Sequence, residues 1–240
     1  MLSVFIVDHL PASGEVILDG DEGHHAAKVT RVNVGEELIV TDGRGSSARV
    51  KVNEVHKEKV TCSIISTEIA QALPTSFSVL QALTKGDRAR ETIELLTEAG
   101  VDHVIPWNAS RCIGQWKGED ESRAKWQMWA REATKQSRRS WIPQISPLFS
   151  TRDAITALSQ YDCTLLFDEG TEVKVSTLLK DQKFSKVLVI IGPEGGITPD
   201  EREEFVKAGA HVVGMGRPVF RSAHAGAVAL AAVQTALGIW

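Results

Sequence analysis

The residues with the most chemical content in this sequence are Gly192-Pro193-Glu194-Gly195-Gly196, which follow the apolar run KVLVII at 186–191 and precede an acidic stretch. A glycine loop between a buried strand and a helix N-terminus lets backbone N–H groups approach a ligand unobstructed. The helix start is marked by Thr198 as cap, Pro199 at the first helical position and Glu201 three residues after the cap, a capping box with an N1 proline. The pattern is neither GxGxxG nor GxxxxGK[ST]. Glu194 would repel a polyphosphate and suits a cationic or hydroxyl-bearing ligand better. The same residues read equally well as a glycine-rich strand–helix turn that binds nothing.

Three further segments carry candidate chemistry. In HVVGMGRPVFRSAHAGAVALAAVQTALG, 211–238, Gly214 and Gly216 permit a tight bend, Arg221 follows, and a helix apolar nearly all round comes next. Such a helix belongs in a core. The loop before it places two glycines beside an arginine. In REATKQSRRSWIPQI, 131–145, Glu132, Gln136 and Arg139 fall close to one helical face. Arg138 and Arg139 there could hold phosphates, or simply form a solvated basic helix end favoured by the dipole. In GHHAAKVTRVNVGE, 23–36, the adjacent His24 and His25 have no acid or cysteine to complete a ligand set, so no metal is expected. Packing, or RNA contact through His25, Lys28 and Arg31, is the better reading.

These segments need a scaffold. Up to about residue 70 the chain reads as β: VFIV, EVIL, EELIVTD, ARVKVNEV and KVTCSIIS are short, rich in β-branched residues and separated by turn residues, with GRG at 43–45 as a hairpin turn. One helical piece interrupts at 24–31. Close-spaced short strands suggest a small barrel. The pattern changes near 72–76. Beyond it FSVLQAL, VDHVIPW, CTLLFDE, KVLVIIG and HVVGMG read as apolar strands. They alternate with a helix capped by Asp87 and stopped at Gly100, and with a Trp-rich helix over roughly 120–137. Continuous apolar strands between helices mean a parallel sheet covered on both faces. The expected organisation is a β domain over 1–72 and an α/β domain over 73–240.

Bulk properties narrow the field. Of the 240 residues, 42% are hydrophobic, enough for a real core, and no run resembles a membrane span or a signal peptide. Cys62, Cys112 and Cys163 are far apart and odd in number, so neither a disulfide framework nor a zinc site is expected, and a reducing cytoplasm is the default. The net charge is −4, but Arg131 to Arg139 is locally basic.

Taken in order, HHxxKVxR from His24, GEELIVTDGRG, QALTKGDRARETIELLTEAGV, EATKQSRRSWIPQI, IGPEGGITPDE and GMGRPVFR resemble the bacterial small-subunit rRNA uridine N3-methyltransferase family, of the SPOUT class. The resemblance implies an α/β, trefoil-knotted methyltransferase domain with a parallel sheet, preceded by a PUA-like small β-barrel for RNA binding. It implies an S-adenosylmethionine pocket in the knot, lined by Phe167, Asp168 and Glu169, by Gly192, Pro193, Glu194, Gly195 and Gly196, and by Met215, Gly216, Val219, Phe220 and Arg221. It implies a homodimer that acts on a uridine near the 3′ end of 16S rRNA, in the decoding region of the small ribosomal subunit, with no membrane or metal partner. The chain departs from the family where Ser222-Ala223-His224 replaces the usual Thr-Glu-Thr, where Arg90 and Leu95 stand at positions commonly acid and lysine, and where Ser110 replaces an acid. A mechanism that needs the glutamate of Thr-Glu-Thr has no residue here to carry it.

On that reading Arg221 stabilises a carbonyl oxygen of the target base, Arg139 positions the RNA, and His224 is a candidate proton acceptor. His25, Lys28, Arg31, Arg138 and Arg139 are the expected RNA contacts. Two rivals remain: a knotted methyltransferase for tRNA or another rRNA site, and a non-catalytic RNA-binding assembly factor on the same fold. A nucleotide-dependent enzyme is weakened by the lack of a phosphate loop.

Overall fold

The computed structural model describes residues 2–86, 88–216 and 219–240. Asp87, the expected cap of the first long helix, lies outside the described residues, as do Arg217 and Pro218 of the last loop. The chain divides into two units, one made of the chain up to Ala72 with Thr134–Ile142, the other of Leu73–Ala133 with Pro143–Trp240.

The first unit is built on a five-stranded sheet. Strands β1 (Val4–Ile6), β2 (Glu15–Leu18), β3 (Glu37–Thr41), β4 (Ser46–His56) and β5 (Lys59–Ile69) lie in the order β1-β3-β4-β5-β2. β1 runs parallel to β3, and the remaining pairs are antiparallel. Along β4, Ala48, Val50 and Val52 are buried, while Arg49, Lys51 and Asn53 alternate with them and are exposed. That period of two gives the sheet one apolar face, which packs with Phe5, Leu18, Leu38 and Val60. The turn at 43–45 forms as expected. Asp42 Oδ1 accepts from the N–H of Arg44 at 2.7 Å and of Ser46 at 3.0 Å. A side chain on Gly45 would stand 2.3 Å from the Trp141 ring, so the turn must stay bare for the 134–142 segment to pack on it.

The helical piece differs from its expected extent. Helix α1 begins at Gly20 and runs to His24, and a π-helical turn follows over His25–Thr30. It ends at Arg31, in the left-handed region at φ 56°. At Gly23 a Cβ would lie 2.0 Å from the Glu58 carbonyl oxygen, so this helix can touch the β4–β5 turn only through glycine.

The second unit holds a six-stranded sheet, parallel throughout, in the order β11-β9-β10-β6-β7-β8. Its strands are β6 (Ser76–Ala82), β7 (His103–Trp107), β8 (Gln144–Ile145), β9 (Cys163–Phe167), β10 (Lys186–Ile191) and β11 (His211–Val213). β9 is buried at every position and β10 at all but Lys186, as strands covered on both faces must be. On one face α4 (Thr151–Ala157) and α6 (Pro199–Lys207) pack over Leu80, Ile105, Trp107, Leu188 and Ile190. Trp107 meets Phe205 edge-on there, ring centroids 5.2 Å apart. On the other face α7 (Ser222–Ala236) packs on β6 and β10 and against α2 (Arg88–Glu98). α2 stops before Gly100, whose φ of +93° a helix cannot continue. The remaining helices are α3 (Glu119–Ser137) and α5 (Val175–Leu178).

Order and sequence together locate a site. From β6 the chain steps outward to β7 and β8, then returns to the far side for β9, β10 and β11. The reversal falls between β6 and β10, and such switch points open a crevice at the carboxyl ends of the strands. Among the described residues, no helix is long and apolar enough to cross a membrane.

Candidate active site

A cavity of about 550 Å³ lies at those carboxyl ends, in the second unit. Three loops line it: Phe167–Glu169 after β9, Gly192–Gly196 after β10, and Met215, Gly216 and Val219–Arg221 between β11 and α7. Every residue expected in the cofactor pocket is therefore on its wall.

The glycine loop is shaped by what its neighbours demand. A Cβ on Gly192 would lie 2.6 Å from Cγ1 of Ile197, and one on Gly195 would lie 3.1 Å from Cβ of Arg111. Gly196 sits at φ +73° and donates its N–H to the Pro193 carbonyl at 2.9 Å, closing a turn. Thr198 then caps α6: its hydroxyl accepts from the N–H of Glu201 while the Glu201 carboxylate accepts from the N–H of Thr198. The loop is tied to the last helix as well. The Ser222 hydroxyl donates to the Gly192 carbonyl at 2.7 Å and accepts from the buried Gln81 amide at 3.2 Å.

Glu201 does more than cap. Its Oε1 accepts from the N–H and hydroxyl of Ser110 at 2.8 and 2.9 Å and from the Thr151 hydroxyl at 3.0 Å. Burial pushes its carboxyl up, but the hydrogen bonds from Ser110 and Thr198 outweigh burial and hold it below the usual glutamate value. This grip fixes the loop after β7, where Arg111 donates from Nη1 to the Gly195 carbonyl at 3.1 Å.

Charge at the cavity is mixed. Arg111 and Arg221 supply two cations; Asp168, Glu169 and Glu194 supply acids. Asp168 is already engaged, accepting from Arg202 Nε at 2.8 Å and from the N–H of Gly170 at 3.1 Å. Arg221 sits at the N-cap of α7 with an exposed side chain. Val219 and Phe220 beside it are exposed apolar residues at the rim.

Not all expected residues converge. His224 is on the first turn of α7, but it is not on the cavity wall. Its Nε2 meets Glu91 Oε1 on α2 at 3.0 Å. Arg138 and Arg139 belong to the first unit. α3 ends at Ser137, and Arg138 takes φ 56°, so Arg139 does not continue the helical face of Glu132 and Gln136. Arg138 donates to the Leu2 carbonyl at 3.1 Å. Lys28 and Arg31 are exposed on the same unit, whereas His25 packs edge-on to Phe5 with centroids 6.0 Å apart.

Sequence reasoning left out Arg111, Ile191, Ile197, Ser222 and Ala225, all on the wall. Ile191, Ile197, Ser222 and Ala225 sit beside segments already singled out. Arg111 directly follows Ser110, a position where the chain departs from the family it resembles; the further signal was its place after the end of a strand next to the topological switch.

The chain is similar to known proteins along nearly its whole length. An RNA methyltransferase domain matches residues 71–234, and an RNA methyltransferase PUA domain matches residues 18–65. The chain is 36% identical to the ribosomal RNA small subunit methyltransferase E of Mycobacterium bovis over 99% of its own length and 93% of that protein. It is 29% identical to the protein of the same name from Bacillus subtilis, over 90% of this chain and 88% of the other. The fold superposes on the crystal structure of ribosomal RNA small subunit methyltransferase E from Neisseria gonorrhoeae bound to S-adenosyl methionine. The TM-score is 0.86 at 24% identity, with 98% of each chain covered.

Proposed function

The chain belongs to the RNA methyltransferase family, and from that premise we propose that it transfers a methyl group from S-adenosylmethionine to N3 of a uridine near the 3′ end of 16S rRNA. The observation that carries the proposal is the bare glycine loop, joined by two others, around one cofactor-sized cavity at the sheet's switch point. Its residues fit the cofactor. Phe167, Ile191, Pro193 and Ile197 offer apolar wall for a purine, and Glu169 and Glu194 suit ribose hydroxyls and a cationic sulfonium. The tight approach at Gly192 and Gly195 leaves the ligand only backbone to meet there. When bound, S-adenosylmethionine supplies an activated methyl group. We read the three loops as the strands of a trefoil knot, and the first unit as a PUA-like barrel that docks RNA.

The chain's own work is on the base. Uracil N3 holds its proton at neutral pH and becomes a nucleophile as that proton passes to solvent water while the methyl group arrives. Charge then spreads onto the ring carbonyls, and a cation beside them lowers the barrier. Arg221 fills that role: it is at the cavity, exposed, and at the positive end of α7. Arg111 is the second cation and holds the glycine loop in shape. Lys28, Arg31, Arg138 and Arg139 of the first unit bind phosphates and position the strand. The target base leaves its stack to enter the cavity. A homodimer suits a protomer of net charge −4, because pairing enlarges the basic surface offered to RNA. A ribosomal target fits a cytoplasmic protein.

The test is methyl transfer from labelled S-adenosylmethionine to small ribosomal subunits that lack the native modification, with tRNA as a separate arm, followed by nucleoside analysis. Label is expected as 3-methyluridine in 16S rRNA. Label elsewhere would move the substrate, and tight cofactor binding without label would favour an assembly factor.

A further inference from the structure

A second cavity, of about 190 Å³, lies in the same unit between the chain after β6, the start of α2 and α3. Its walls include Trp116, Trp126 and Trp129, with Thr84, Gln115 and Lys125. The Trp116 and Trp126 rings meet edge-on, centroids 5.2 Å apart at 79°. The Nε1–H of Trp116 is buried and meets no acceptor among the described residues. A buried indole N–H ordinarily finds a partner, and leaving one unmade is costly. An acceptor arriving with a ligand would remove that cost.

The wall is held firmly. A Cβ on Gly114 would stand 2.4 Å from the Thr84 carbonyl oxygen, so the chain leading into Trp116 lies flat on the segment after β6. This chain also joins the two cavities: Arg111 is on the wall of the first and Gln115 on the wall of the second. Four residues of fully extended chain span at most about 14 Å. A stacked nucleic-acid strand covers that in about four nucleotides.

We propose that the tryptophan cavity takes an unpaired nucleobase of the RNA substrate, a near neighbour of the base entering the glycine-loop cavity. This rests on the RNA methyltransferase reading above. Pulling the target base from its stack strips its neighbours of a stacking partner, and aromatic side chains replace that contact without regard to sequence. Trp116, a wall residue, adds its unpartnered indole N–H as a donor for a ring acceptor, such as a uracil or guanine carbonyl, once its side chain gives way to the base. Lys125, exposed and paired with Glu121 at 2.7 Å, stands ready to exchange that partner for a phosphate.

The experiment compares full-length wild type with Trp116→Phe, which keeps a ring but loses the donor, and Trp129→Ala. Three quantities are read: the Kd for a single-stranded RNA spanning the 3′ region of 16S rRNA, kcat and KM for methyl transfer to unmodified subunits, and the Kd for S-adenosylmethionine. Trp129→Ala is expected to weaken RNA binding and raise the RNA KM by about tenfold. Trp116→Phe should do so by a smaller factor, with kcat and cofactor affinity unchanged in both. RNA binding equal to wild type in both variants overturns the proposal and leaves the cavity to water, while wild-type methyl transfer still upholds the reading it rests on. The converse, no methyl transfer by wild type but tryptophan-dependent RNA binding, keeps the cavity and removes the enzyme. A variant that loses RNA affinity only because it sediments as a smaller species also overturns it, by making the cavity a contact between copies.

Discussion

Glu201 Oε1 receives both the backbone N–H and the hydroxyl of Ser110, a residue 91 positions earlier in the chain, at 2.8 and 2.9 Å. One buried carboxylate thus fastens the N-terminus of α6 to the loop after β7. With the Thr151 hydroxyl at 3.0 Å, it reaches α4 as well. The glycine loop and Arg111 are set by the two ends of this clamp. An acid before Arg111 would face Glu201 as a like charge, whereas Ser110 supplies donors.

Glu201→Gln removes the charge and turns one acceptor into a donor facing the N–H and hydroxyl donors of Ser110 or Thr198. Hydrogen bonds to a charged group contribute about 1.5–3 kcal/mol each, so a loss of roughly 2–3 kcal/mol in urea unfolding is expected. Cofactor affinity should fall with it, because Arg111 loses its fixed approach to Gly195. A variant as stable as wild type would show that the clamp is decorative.

Arg221→Ala should leave the melting temperature near that of wild type, since no ion pair among the described residues holds this exposed side chain. Turnover should fall by about a hundredfold, the scale of removing one donor from a developing oxyanion. Arg221→Lys should recover part of it. Single-turnover kinetics with labelled cofactor measure this directly, and near-normal turnover in the alanine variant would take Arg221 out of the chemistry.

What the sequence made legible was local. The capping box of Thr198 and Glu201, the glycine loop and the burial of β9 and β10 all depend on residues within a few positions of one another. The second half of Glu201's work was hidden because Ser110 and Thr151 lie 91 and 50 positions away. The end of α3 was hidden for another reason. Helix-compatible residues run on through Arg139, and no glycine marks the left-handed turn at Arg138. His224 follows Arg221 closely in sequence, yet a helix turns successive side chains by about 100°, and the first turn of α7 sends it to Glu91.

Gly192→Ala asks for space that Ile197 occupies. The new methyl would stand 2.6 Å from Cγ1 and 3.2 Å from Cδ1 of a side chain that itself lines the cavity. Ile197 must shift, and the loop with it. Overpacking of this kind costs about 1–3 kcal/mol, and the expected readout is about a tenfold weaker Kd for S-adenosylmethionine by calorimetry. Unchanged affinity would mean that the cofactor does not lie against this loop.

Stability should also carry a pH signature away from the site. His103 at the start of β7 meets the Ser146 hydroxyl through Nε2 at 2.6 Å. Burial, and after it the positive charge of Arg123, push its pKa below the ordinary histidine value. The neutral ring is therefore the folded form, and the unfolded chain takes up the proton first as pH falls. By linkage the contribution is complete above the unfolded pKa near 6.5, and it is lost as pH drops through the lower folded value. Urea midpoints measured from pH 7.5 down to 5 should fall for wild type, and fall less for His103→Gln, which has no proton to gain. Parallel slopes for the two proteins would place the acid sensitivity elsewhere.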